Sequence, residues 1–175
     1  MLKTHEIFAR MPADMALGMI TFLHEKESTV YKITLQSLAQ FYKLRPVFIE
    51  RKPRKDQHAW ISTQLKKRAH DAITAQALQI WLVGAHKDLL CDFLDGFQIP
   101  HDQNGTIDTL PPSPSAAEIS PVVDTLLAKY PTPLVAIYLH AFQSMDNSGW
   151  SGLAEVLASD SVSYTHLTLP TILLV

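Results

Sequence analysis

The stretch MALGMITFLHEKESTVYKITLQSLAQFYKL, Met15 to Leu44, decides the fold class. Met15, Met19 and Phe22, with Ala16 and Leu23, recur at helical spacing. After a polar break, Val30, Tyr31, Leu38 and Phe41 do the same and form the expected apolar stripe of a second helix. Asp14 suits the first N-cap, and Ser28 or Thr29 can open the second helix. The second must stop by Leu44, because Arg45 precedes Pro46 and is pushed out of helical dihedrals. The expected class is therefore all-α, with helical hairpins forming a small bundle or a short solenoid-like array.

Outward from this hairpin, RPVFIERKPRK (Arg45 to Lys55) differs in kind. Val47, Phe48 and Ile49 are β-prone and isolated by Pro46 and Pro53, which predicts one extended segment near 45–55 plugging apolar side chains into the core. Asp56 is the expected cap of a helix carrying Trp60, Ile61 and Leu65, and the sequence leaves open whether 56–83 is one helix or two. A helix from Lys87 to Asp95 is expected to stop at Gly96, with Pro100 beyond. HDQNGTIDTLPPSPS (His101 to Ser115) reads as a linker. Ser120-Pro121 and Thr132-Pro133 each give an N-cap followed by proline, and Gly152 to Ala158 starts a last helix.

The expected organisation is a helical domain over 1–100, a Pro-rich linker over 101–117 and a C-terminal hairpin over 118–160. Segments around Phe22, Trp81 and Tyr138 share an apolar–aromatic–Leu pattern, 59 and 57 residues apart, each followed by a turn and another helix. Three related hairpins would suit a solenoid. An aromatic beside a Leu in any core helix would read the same way. The tail SVSYTHLTLPTILLV, Ser161 to Val175, resembles a translated sequencing adapter over Ser161 to Thr171, so 161–175 is expected to be artefactual and 118–160 truncated.

Composition narrows the function. Cys91 is the lone cysteine, which excludes an internal disulfide framework and suits a reducing, cytoplasmic setting. TLPTILLV falls far short of the roughly 20 residues that span a bilayer, and the first residues lack the apolar core of a secretory signal, so no membrane partner is expected. Charge is split along the chain. Lys43, Arg45, Arg51, Lys52, Arg54, Lys55, Lys66, Lys67 and Arg68 face only Glu50 and Asp56, whereas Asp71 to Asp160 holds eleven acids against Lys87 and Lys129. The basic tract 43–68 is the candidate polyanion-binding site, unless the two halves complement each other within one chain or across a dimer.

Catalytic and metal signatures are weak. The run Pro100 to Pro111 imitates a calcium loop but has proline at its first and twelfth positions, where the strongest carboxylate ligands belong. Asp88, Asp92 and Asp95 share a helix face, as solvated carboxylates commonly do. Acids near Cys91 would raise its thiol pKa, the opposite of what a nucleophile needs. His24, His58, His70, His86, His101 and His140 form no HExxH pair. No metal, cofactor or catalytic residue is expected. The leading expectation is a noncatalytic interaction or scaffold protein with a protein partner. The alternative is a nucleic-acid-associated protein using 43–68, and an enzyme of unidentifiable class comes third. Deleting Ser161 to Val175 should leave the melting temperature of the chain unchanged; a substantial drop in a thermal melt would make the tail part of the fold.

Overall fold

The computed structural model describes residues 2–103, 105, 107, 109–145 and 149–159. The tail 161–175 lies outside the described residues. Among the described residues the chain forms ten α-helices and one short 3-10 helix, with no strand. They are α1 (Thr4–Arg10), α2 (Ala13–Lys26), α3 (Ser28–Phe41), α4 (Pro46–Glu50), α5 (Arg54–Leu65), the 3-10 turn (Arg68–His70), α6 (Asp71–Ala85), α7 (Lys87–Gly96), α8 (Ala116–Lys129), α9 (Thr132–Met145) and α10 (Ser151–Ala158). The all-α class holds.

α2 and α3 form the hairpin read from Met15 to Leu44, joined at Glu27. Met19, Ile20 and Leu23 face Leu35 and Leu38 in one buried cluster that continues through α6 to α10. α2 packs on α6 and α6 on α9, so the three helices bearing the aromatic–Leu pattern are neighbours, each touching the helix that follows it. α1 was not legible in the sequence. It buries Ile7 and Phe8 and is tied to α6 by His5, whose backbone N–H and ring Nδ1 meet Asp71 Oδ1 at 2.8 and 2.7 Å.

The expected extended segment at 45–55 is corrected: Pro46 to Glu50 is a short helix. Its cause is a length constraint. Tyr31 near the start of α3 donates to Gln57 near the start of α5 (3.1 Å), while Tyr42 after α3 meets Lys67 after α5 (3.1 Å). α3 and α5 therefore run in the same direction, and residues 43–53 must return over about 16 Å, the rise of eleven helical residues. Eleven extended residues would overshoot at roughly 3.3 Å each. A helical turn takes up the slack, and Pro46 at its first position has the φ that a helix needs.

Several helix starts also move. α5 begins at Arg54, two residues before Asp56, which instead sits in the first turn where a negative charge meets the helix dipole. Likewise α2 begins at Ala13 and keeps Asp14 in its first turn. α8 begins at Ala116 because Ser115 and Glu118 close a reciprocal capping box, leaving Pro121 inside the helix. The stretch 56–83 is two helices. They are broken at Lys66–His70 without Gly or Pro, and the freed Leu65 carbonyl accepts from Thr74 Oγ1 at 2.8 Å. After α7 the left-handed residue is Gln98 (φ 55°), while Gly96 makes room for Val122 of α8.

At the other end Trp150 is fully buried against Phe97 and Phe142, at ring separations of 5.1 Å, and its Nε1–H donates to the Pro111 carbonyl at 3.1 Å. The proline-rich segment is thereby pinned to α7, α9 and α10. α10 comes so close that a Cβ at Gly152 would lie 2.2 Å from the Pro114 carbonyl oxygen. Gly18, mid-helix in α2, has open space around it. Two glycine-to-alanine substitutions should thus move stability in opposite directions under urea denaturation. Gly152→Ala is expected to cost about 1–3 kcal/mol through overpacking, and Gly18→Ala to add about 0.5–1 kcal/mol through helix propensity.

Candidate functional site

The nine tract residues are all exposed, but they do not form one continuous strip. Lys43 follows α3, Arg45 precedes α4, Arg51 and Lys52 make the α4–α5 turn, Arg54 and Lys55 open α5, and Lys66, Lys67 and Arg68 follow it. α5 separates the last three from Arg54 and Lys55 by twelve residues of helix, about 18 Å. The fold gathers them at two poles, linked by the returning segment.

Local geometry holds each pole. At one, the Gln57 amide donates to the carbonyls of Glu50 (3.0 Å) and Lys52 (2.8 Å) while its oxygen accepts from Tyr31, fixing the turn that carries Arg51 and Lys52. At the other, α3 closes with a Schellman arrangement: Lys43 N–H donates to Gln40 O and Leu44 N–H to Ala39 O. Lys43 takes φ 54° there, a left-handed conformation that glycine holds at lower cost. Lys67 donates to Tyr42 Oη and Gln64 Oε1 (3.1 and 2.8 Å), with its ammonium 5.0 Å from the Tyr42 ring centre. The Tyr42 hydroxyl also lies 3.1 Å from Nε2 of the buried His70 imidazole. Burial, then Lys67, holds the His70 pKa below the usual histidine range.

Among the described residues Arg54 alone of the nine forms an ion pair, with Glu25 of α2 at 3.7 Å, and both side chains are more than half exposed. Such a pair contributes little. Of the acids from Asp71 onward, Asp92 meets Lys129 and Tyr130, Asp95 meets His101 and Asp71 meets His5.

Beside the cations lies an apolar feature, part of which the sequence reading placed in the core. Among the described residues Leu17, Ile33, Phe41, Tyr42, Leu44, Val47 and Phe48 are the exposed large hydrophobic residues. Phe41 was expected on the buried stripe of α3 but is 57% exposed, and Phe48, expected to plug the core, is 59% exposed. The reason is angular. Tyr31, Leu35 and Leu38 already fill the inward face of α3, and a five-residue helix turns only Ile49 inward. Leu17, ten residues before the Glu27 joint, lies at the level of Ser37, ten after it. Six of the seven lie on α3, α4 and the connection between them, and from Ser28 to Ile49 no acid interrupts those six.

Other candidates recede. His58 is buried and Trp60 packs against the core, so neither bridges the two basic clusters at the surface. The Cys91 thiol is pushed up by burial and then by Asp95 and Asp88, as its sequence neighbours foretold. No group of three or more His, Cys, Asp or Glu suited to a metal occurs among the described residues. A cleft of about 920 Å³ between the end of α7 and the proline-rich segment holds one carboxylate, Glu118, which is spent on the Ser115 cap. No described helix is long and apolar enough to cross a membrane.

Buried and half-buried histidines give the fold an acid sensitivity whose sign is fixed. Burial holds His58, His70 and His86 below the usual value of 6.5, and burial, then Arg10, holds His140 at about 4. The unfolded chain therefore binds more protons in that window. The histidine contribution is fully present above 6.5 and is lost as pH falls toward 4. Thermal melts at steps between about pH 7 and pH 4.5 should show a progressive fall in Tm, and a flat profile would contradict the buried neutral state. Comparison with family models, curated proteins and solved structures finds no match, so the functional reading rests on this chain's own residues.

Proposed function

We propose that the chain is a noncatalytic interaction or scaffold protein, in which helical hairpins present the α3–α4 corner to a protein partner. One observation supports this above the rest: the exposed large hydrophobic side chains collect on that corner, beside cations of which only Arg54 is ion-paired among the described residues. Monomeric surfaces seldom leave such residues clustered unless something covers them. The lone half-buried Cys91, with its raised pKa, suits a reducing compartment such as the cytoplasm.

A second reading, a nucleic-acid-associated protein, draws on Arg51, Lys52, Lys66, Lys67 and Arg68, all exposed. The two readings respond differently to salt: phosphate contacts weaken steeply as salt rises, whereas an apolar interface survives. Affinity capture from cell extract, with and without nuclease, separates them. The expected result is a protein that stays bound at high salt and is lost with Val47→Ser/Phe48→Ser. Capture that survives that variant, yet disappears with salt or with Arg51, Lys52, Arg54 and Lys55 changed to Glu, would replace the protein partner with nucleic acid.

A further inference from the structure

The corner must be covered by something both apolar and anionic, because its hydrophobic and cationic groups alternate along one path. Leu44 lies between Lys43 and Arg45, and Val47 and Phe48 between Arg45 and Arg51. A second copy of the chain fails this requirement. Its acidic half offers no exposed large hydrophobic among the described residues, and two such corners face to face would oppose cation to cation. A single-stranded nucleic acid meets it only in part. Bases stack on aromatic rings, but Leu17, Ile33, Leu44 and Val47 are aliphatic and would stay uncovered. A bilayer is also a poor fit. On the wheel of α3, Ser37 falls between Ile33 and Phe41 with Gln40 beside them. Hydrocarbon cannot satisfy those polar groups.

We propose that the occupant is an acidic amphipathic helix of a partner protein, with its apolar face on Phe41, Leu44 and Phe48 and its carboxylates toward Lys43, Arg45 and Arg51. This rests on the interaction reading above and supplies the partner's chemistry. Ile33 and Phe41 lie eight residues apart on α3, about 12 Å, which a helix presenting anchors at i, i+3, i+4 and i+7 covers in about two turns. The recipient surface is held in place beforehand: Phe41 is 5.1 Å from the Tyr42 ring and 4.6 Å from the His70 ring, both nearly perpendicular to it, and Tyr42 is hydrogen-bonded in turn. Surfaces ordered in advance lose less entropy when they bind.

The test uses the full chain and a fluorescent synthetic helix of about 18 residues, five turns, with Leu at i, i+3, i+4 and i+7 and Glu elsewhere. Its controls are the same peptide with Lys for Glu, a scrambled peptide, single-stranded RNA and phosphatidylglycerol vesicles. The acidic helix should bind at least about tenfold more tightly than either control peptide. Phe48→Ser and Arg51→Glu/Lys52→Glu should each weaken it about fivefold or more, with melting curves confirming the fold. Equal binding of all peptides, or no peptide binding, overturns the proposal. RNA or vesicles binding while the acidic helix does not would overturn it in favour of that ligand. If extract capture still returns a protein that depends on Val47 and Phe48 but lacks an acidic helix, the interaction reading stands and only this inference falls.

Discussion

The corner exists because both ends of α3 are fastened to the matching ends of α5. Tyr31 with Gln57 makes one fastening; Tyr42 with Lys67 and His70 makes the other. Two helices held parallel in this way cannot be joined by a tight turn, so the chain between them must climb back along the outside of α3. Only Ile49 on that returning path reaches the core. Everything else it carries, apolar or cationic, stays at the surface. The position of the candidate site is thus a consequence of connectivity rather than of any binding motif.

Much of the architecture was legible. The periodicity of Met15 to Leu44 and the polar joint near Glu27 reflect local rules that the fold obeys. Misreadings arose where long-range packing overrode them. β-prone Val47, Phe48 and Ile49 became helical because of a distance set by Tyr31 and Tyr42, which no local window contains. The break between α5 and α6 has no Gly or Pro to announce it, and it leaves His70 against the Phe41 ring. Ser120-Pro121 lost to Ser115 and Glu118, a capping box that was present in the sequence and could have been weighed against it.

The candidate site was half legible. All nine cations and their grouping into 51–55 and 66–68 could be read off the sequence, but the distance between the two poles could not, since it depends on α5 standing between them. The apolar partner of those charges was misplaced for a physical reason. Sequence reasoning assigns a Phe at helical spacing to the core by default, yet the inward face of α3 is already filled by Tyr31, Leu35 and Leu38, and Phe41 falls to its flank. Exposed Phe41 and Phe48 are informative because ordinary burial would have claimed them.

The most direct measurement is paired urea denaturation of Phe48→Ser and Ile49→Ser, adjacent residues that the fold sends in opposite directions. Ile49 is 4% exposed and Phe48 59%. Loss at the buried position should cost about 3 kcal/mol or more. Loss at the exposed one should stay within about 0.5 kcal/mol, as surface changes do. Equal destabilisation by the two substitutions would place Phe48 in the core and remove the apolar half of the docking face.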